Sequence, residues 1–330
     1  MKKVFYAFIC ISIVLSITSC NGNSGKPNSK STTSQTSETL SATSKSSTVQ
    51  SKTESEAVVE VEVGTATEFF EAIAPNRIIK LKGKTFKLDE LSGTAKTNPY
   101  ANLKSNGEEL VIHDVQNLSI IGMGDELVEI FTKYMEADVL RFENVKNVNV
   151  SNVRMGHWPD AGGCGGGVIV FKNASDIAID GCSFFGCGIN GLEVVSVKNL
   201  NFKNSIIEDC SFHIMCIGNS ENVTFQNSVF KNNRGGELIN ISGCKDVLFE
   251  KCDISDNVGT TDIGVLFKVD HGFSSYVDAF EINDVISNIL IKNSNIKRNS
   301  TVSKEIAGTT KERNSIKFEN VVFDGNSFVQ

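Results

Sequence analysis

Asn147-Val148-Asn149-Val150-Ser151-Asn152, Asn222-Val223-Thr224-Phe225-Gln226-Asn227 and Asn288-Ile289-Leu290-Ile291-Lys292-Asn293 are three copies of one pattern. An apolar residue, a polar one and a second apolar one are followed, two positions later, by Asn or a small residue. Taking the first apolar residue as the anchor, the series runs Leu118, Val148, Ile177, Leu200, Val223, Val247, Ile289 and Ile316. The spacings are 30, 29, 23, 23, 24, 42 and 27 residues. A period near 23 that tolerates insertions predicts stacked coils, each burying its apolar face only against its neighbours.

The anchor and the residue two further on lie on one face of a strand, as in Ile177 and Ile179, Leu200 and Phe202, or Val247 and Phe249. Eight and six residues before each anchor stands a second alternating pair, for example Leu140 and Phe142, Leu192 and Val194, or Ile239 and Ile241. A third inward position recurs seven residues after the anchor, at Met155, Phe184, Ile207, Phe230, Ile254, Ile296 and Phe323. Three short strands per turn make a coil of triangular section. Four residues after the anchor come Asn152, Asn204, Asn227, Asn293 and Asn320, with Gly181 and Lys251 as exceptions. Asn tolerates the left-handed backbone of a sharp bend, and stacked amides can hydrogen-bond from coil to coil. A second polar column, ten residues after the anchor, holds Asn233, Asn257, Asn299 and Asn326. These Asn residues are scaffold.

On this pattern the chain resembles the right-handed parallel β-helix proteins of the pectate-lyase-like superfamily, over roughly residues 77 to 330. The resemblance supplies the handedness, in line with the rule for parallel crossovers. The fold class expected is all-β, a parallel β-helix of about eight or more coils, about 40 Å long at about 4.8 Å per coil. Thr65-Ala66-Thr67-Glu68 has capping-box spacing, and Phe69, Phe70 and Ile73 give one apolar face to a short helix that would plug the first coil. Ile78 to Leu81 and Thr85 to Leu88 read as the opening strands.

Residues 1–19 form a basic start and an apolar stretch, Val4 to Ile17, too short for a spanning helix. They close on Ile17-Thr18-Ser19-Cys20, which resembles the bacterial lipoprotein box, with Cys20 as the lipidated residue. Residues 20–56 are Ser, Thr, Lys, Gln and Glu with almost no apolar residue, and read as a disordered tether to a domain spanning 57–330. The expected location is the bacterial cell envelope, with the membrane reached through lipid on Cys20. The formal charge is -7, or -9 without Lys2 and Lys3, which argues against nucleic acid as a partner.

Seven cysteines lie in the domain: Cys164, Cys182, Cys187, Cys210, Cys216, Cys244 and Cys252. An odd number without a C-x-x-C pair indicates neither a zinc site nor a complete disulfide set. Cys182 and Cys252 share a column with Ser205, Ser228 and Ser294, which asks for small, half-buried side chains. Cys187 and Cys210 stack in adjacent coils, either as free thiols or within disulfide reach.

Function is sought in the residues the repeat does not require. The 156–167 insertion carries His157, Trp158 and Asp160 among glycines, and the exposed ring of the chain's single Trp would stack on a sugar. The 270–285 insertion is rich in aromatic residues and suits an interaction edge. Stacking aligns Asn190, His213 and Glu237 in one column and Glu193, Cys216 and Asn240 in a second, outward column, with Arg141 in line with Glu193 two coils away. With Arg234, these would form a groove with a general base, His213 or Glu237, and a charge-stabilising Arg. The resemblance implies polysaccharide chemistry, yet the polygalacturonase series N-T-D, D-D, G-H-G and R-I-K, the lyase pattern R-x-P-x-x-R and the epimerase D-P-H-D are all absent. The expectation is therefore glycan or surface-protein binding through His157, Trp158, Asp160, Asn190 and Arg141, without cofactor or metal. The alternative is a polysaccharide lyase using His213, Glu237, Arg234 and Glu193, in which calcium would sit between Glu193 and Glu237.

Overall fold

A computed structural model describes residues 57–104, 108–158, 165–186, 188–260, 264–270, 286–302, 306–307 and 310–328. Cys20, the signal and tether segments, Asp160, Cys164, Cys187 and residues 271–285 lie outside the described residues.

The anchors pair in order as parallel neighbours: Leu118 with Val148, then Ile177, Leu200, Val223, Val247, Ile289 and Ile316. The irregular spacings therefore leave the register of the strands untouched; the extra residues fall between strands. Each coil contributes to a wide first sheet that carries both alternating pairs across a gentle bend, then to a second sheet, and in the later coils to a short third sheet. One pairing among the described strands is antiparallel, Ala101–Lys104 with Glu109–His113.

The alternation drives the inward faces into one continuous core. Met155, Phe184, Ile207, Phe230, Ile254 and Ile296 are all fully buried, whereas Phe323, in the last described coil, is 48% exposed. Identical spacing stacks like on like. Phe225 lies 4.6 Å from Phe249 and 5.7 Å from Phe202, ring centre to ring centre, and Phe142 lies 4.8 Å from Phe171. At the first coil the helix Ala66–Ala72 is capped by Thr65, whose hydroxyl accepts from the Glu68 amide, and it buries Phe69 and Phe70. Ile78 and Ile79 fall in the strand Arg77–Leu81, and Phe86 in Thr85–Lys87.

Bends require left-handed backbone. Asn152, Asn204, Asn227, Asn293 and Asn320 all have φ near +50°, as do Gly181 (φ 63°) and Lys251 (φ 55°) in the same column, so the bend demands the conformation rather than the amide. The expected amide ladder there is represented by Asn320 to Asn293 (2.8 Å). A longer exposed ladder runs one residue before the anchors, in which Asn147 donates to Asn117, Asn117 to Asn76, Asn199 to Asp176, Asn222 to Asn199 and Asn288 to Asp246. The column ten residues after the anchor is a buried ladder, with Asn233, Asn257, Asn299 and Asn326 linked side chain to side chain. Cys210 occupies the same column; it is a free thiol, and its amide donates to Asn233 Oδ1.

The Cys and Ser column is fully buried rather than half-buried. Each hydroxyl accepts an amide N–H from the coil before it, as Ser205 does from Cys182, Ser228 from Ser205 and Ser294 from Cys252. Burial pushes the thiols of Cys182 and Cys244 up to about 12 and that of Cys252 to about 11.

Candidate functional site

Two outward faces carry the chemistry-bearing residues. On the wide sheet, register confirms the aligned columns: Asn190 pairs with His213, Glu193 with Cys216, Cys216 with Asn240, and Arg141 reaches Glu193 through Val170. The open groove expected from them is not what they form. Arg141, Asn190, Glu193, His213, Cys216 and Asn240 are each at most 5% exposed. The side chains point away from the coil axis, but they pair with one another instead of facing water. Asn190 donates to Glu193 Oε2 (2.5 Å), while its Oδ1 accepts from His213 Nδ1 (2.9 Å) and from the Cys216 thiol (3.3 Å). Glu237 accepts from Asn240 (2.7 Å) and from Lys268 Nζ (3.0 Å).

Burial sets the protonation of this network. It pulls His213 down to about 4, so the imidazole is neutral at physiological pH, and it raises Cys216 well above the usual thiol range, helped by Glu193 and Glu237. Next to it, Asp138 accepts from the Gly167 amide and from Arg141, and Arg141 Nε donates to Glu143 at 2.6 Å. Burial raises Glu143, but hydrogen bonds from Arg141 and Lys104 outweigh it, and the net shift is downward. Glu109 is raised by burial and by the nearby Asp138. Glu237 is half-buried and Arg234 is exposed, on the short strand paired with Val258–Gly259. Among the described residues no cluster of His, Cys, Asp and Glu has the geometry of a metal site. As a set these groups hold one another's charges in place, and Glu237 and Arg234 are the members that reach the surface.

The second face belongs to the second sheet. Gly156 and His157 are the end of the strand Val153–His157 rather than part of the insertion expected to begin there. His157 is 1% exposed, with Nε2 against the Ala137 carbonyl (2.8 Å), and burial lowers its pKa. Strand alternation and the end of the pairing put the next residue outside: Trp158 is 56% exposed, its ring centre 6.4 Å from that of Phe131. Gly156 has a packing reason. A Cβ there would stand 2.3 Å from the Phe185 carbonyl oxygen and 2.7 Å from its ring, so glycine alone lets Phe185 lie across the sheet.

The Arg154 guanidinium carbon sits over the Phe185 ring, at 3.5 Å from its centre. A cavity of about 430 Å³ opens between Trp158, Phe131, Phe185, Arg154, Glu129, Lys87 and Thr85. A second, of about 710 Å³, shares Thr85, Glu129 and Arg154 with it and extends to Lys82, Lys84, Met123 and the turn Gly124–Leu127. Together they form one groove along the outside of the early coils. Aromatic faces beside charged and hydroxyl groups are the surface that binds a ring with one apolar face and polar edges.

Trp158 and His213 thus lie on different sheets, and the structure does not unite them in one site. Arg154, Glu129, Phe131, Phe185 and Lys87 escaped the reading of the sequence. One signal was present: if Met155 and Phe184 point inward, their neighbours point outward, and an outward Phe185 beside Phe184 breaks the alternation.

The model of the right handed beta helix region matches residues 134–244 and 167–330, more than half of the chain. The chain belongs to the right-handed β-helix family. No curated protein matches it. Among solved structures, the β-helix is similar to PfbA, a surface adhesin of Streptococcus pneumoniae, at 12% identity and a TM-score of 0.40, over 82% of this chain and 68% of that one. It is also similar to the pectate lyase pelN from Paenibacillus sp. 0602, at 12% identity, TM-score 0.43 and coverage of 82% and 79%. The alginate lyase from Paenibacillus sp. str. FPU-7 is a third, at 13% identity, TM-score 0.33 and coverage of 82% and 99%. At this level of similarity none of them says what this chain binds.

Proposed function

We propose that this chain is an envelope-anchored bacterial lipoprotein, tethered through lipid on Cys20, whose β-helix binds glycan in the groove of the second sheet. The observation that carries the reading is Trp158, a large ring left 56% exposed above Phe131 at the mouth of a cavity walled by Arg154 and Phe185. Leaving such a ring in water forgoes roughly 1.5–3 kcal/mol of burial, which a stacked sugar face would recover. The buried network around His213 supports a structural role for Asn190, Glu193 and Arg141 in place of the binding or catalytic one.

The reading is tested by a glycan array followed by calorimetry on the full chain. Trp158→Ala is expected to weaken the selected glycan by about tenfold or more, in line with an aromatic stack of about 1.5 kcal/mol. Equal affinity of wild type and variant would sink the groove as the site. Appearance of an unsaturated or reducing-end product on the same panel would instead favour the lyase. For the anchor, Cys20→Ala is expected to move the protein from the membrane to the soluble fraction.

A further inference from the structure

Arg154 is unusual among the cations of this surface. Elsewhere coil-to-coil ion pairs are close: Lys198 to Glu221 at 2.7 Å, Arg298 to Asp256 at 2.7 Å, Lys268 to Glu237 at 3.0 Å. Arg154 Nη1 stands 3.6 Å from Glu129 Oε1, beyond hydrogen-bond reach, and its guanidinium donates no hydrogen bond among the described residues. The Phe185 ring holds the guanidinium carbon 3.5 Å above its centre, and Gly156 makes the room that contact needs. The Arg154 side chain lines both cavities and is one third exposed. A guanidinium held over a ring, with its donors not bonded to protein, can take a carboxylate or sulfate bidentately. Lys87, exposed on the same wall, adds positive charge without an ion pair of its own among the described residues. Glu129 is held from its other side, accepting from Thr85 Oγ1 at 3.3 Å.

We infer that Arg154 is the selectivity residue of the groove, reading an anionic group on a sugar ring stacked at Trp158, and that Glu129 is a resident competitor that an incoming anion displaces. The inference rests on the glycan-binding reading and adds the ligand's charge and the mechanism of its selection. Displacement is easy because a half-exposed pair at this separation contributes little, and Thr85 keeps the released Glu129 carboxylate hydrogen-bonded. A sugar acid and a sulfated sugar offer the same chemistry at Arg154, and the experiment separates them.

The test is calorimetry on the full chain with four probes: an oligogalacturonide, its methyl ester, a sulfated oligosaccharide and its unsulfated parent. The readout is the ratio of charged to uncharged affinity within each pair. Wild type is expected to favour the charged member of at least one pair by about tenfold, a preference that fades with added salt. Arg154→Gln should bring that ratio near one, and Glu129→Gln should raise it about two- to fivefold by removing the competitor. A Glu129→Gln variant with an unchanged or lower ratio overturns the inference, as does an Arg154→Gln variant that weakens both members equally. If charged and uncharged members bind alike and Trp158→Ala removes both, this inference fails while glycan binding stands. Absence of binding to all four probes overturns both.

Discussion

Asn257→Ala is the perturbation that weighs the buried ladder. The Asn257 side chain is fully buried and makes four hydrogen bonds. Its Oδ1 accepts from the Asn233 amide and side chain, both at 3.0 Å, and its Nδ2 donates to the Phe230 carbonyl and to Asn299 Oδ1, both at 2.9 Å. Truncation leaves the Asn233 amide N–H without its acceptor inside a buried column, while the Asn233 side chain keeps the Ile207 and Lys231 carbonyls. One stranded backbone donor costs about 1–3 kcal/mol, and the three other lost bonds about 1 kcal/mol each, so the total is about 4–6 kcal/mol. Asn222→Ala is the control. Its residue has φ 57° and a single exposed ladder bond, to Asn199 at 3.0 Å, so about 1 kcal/mol is expected from the strained backbone. Urea unfolding followed by far-UV circular dichroism compares the two. Equal losses in the two variants would refute the claim that buried amide pairing, rather than the bend conformation, holds adjacent coils.

Phe225→Ala removes a ring packed against Phe202, Phe230 and Phe249, and a loss of about 3–5 kcal/mol is expected in the same assay. The buried thiols should resist iodoacetamide at pH 8 in the folded protein and react only in denaturant, as read by mass spectrometry; rapid native alkylation of Cys182 or Cys244 would contradict their burial. Their folded pKa values lie above the ordinary 9.0, so the stability they contribute is complete below pH 9 and is lost as pH rises from there towards 12. His213 works in the opposite direction: with its folded value near 4 against an ordinary 6.5, its contribution is present above pH 6.5 and lost as pH falls towards 4. His213→Gln should flatten the decline in melting temperature between pH 6.5 and 4.5. Gly156→Ala should dislodge Phe185, free Arg154 from its stack and weaken glycan binding while the far-UV spectrum is kept.

The coils were legible because inward positions are chemically constrained. Leu118 to Ile316 must stay apolar to stack, so a period survives even where 42 residues separate Val247 from Ile289. The buried ladder was legible for the same reason. The exposed ladder before the anchors was not, because Asp176 and Asp246 serve there as well as Asn and blur the column. Outward positions obey no such rule. Pointing away from the coil axis does not decide exposure, and Glu193 and Arg141 are covered where Arg234 and Trp158 are not. Trp158 stood out by being single; its partners Phe131, Arg154 and Phe185 come from three different coils, and only the register brings them together.

The groove contains the chain's only Trp, so occupancy can be observed where it is claimed. Titrating the full chain with a glycan chosen from the array, while recording intrinsic Trp fluorescence and heat of binding together, is the most direct measurement. A saturable change in Trp158 emission with the same midpoint as the heat is the predicted result. Heat of binding that saturates with no change in emission would place the ligand elsewhere and contradict the account.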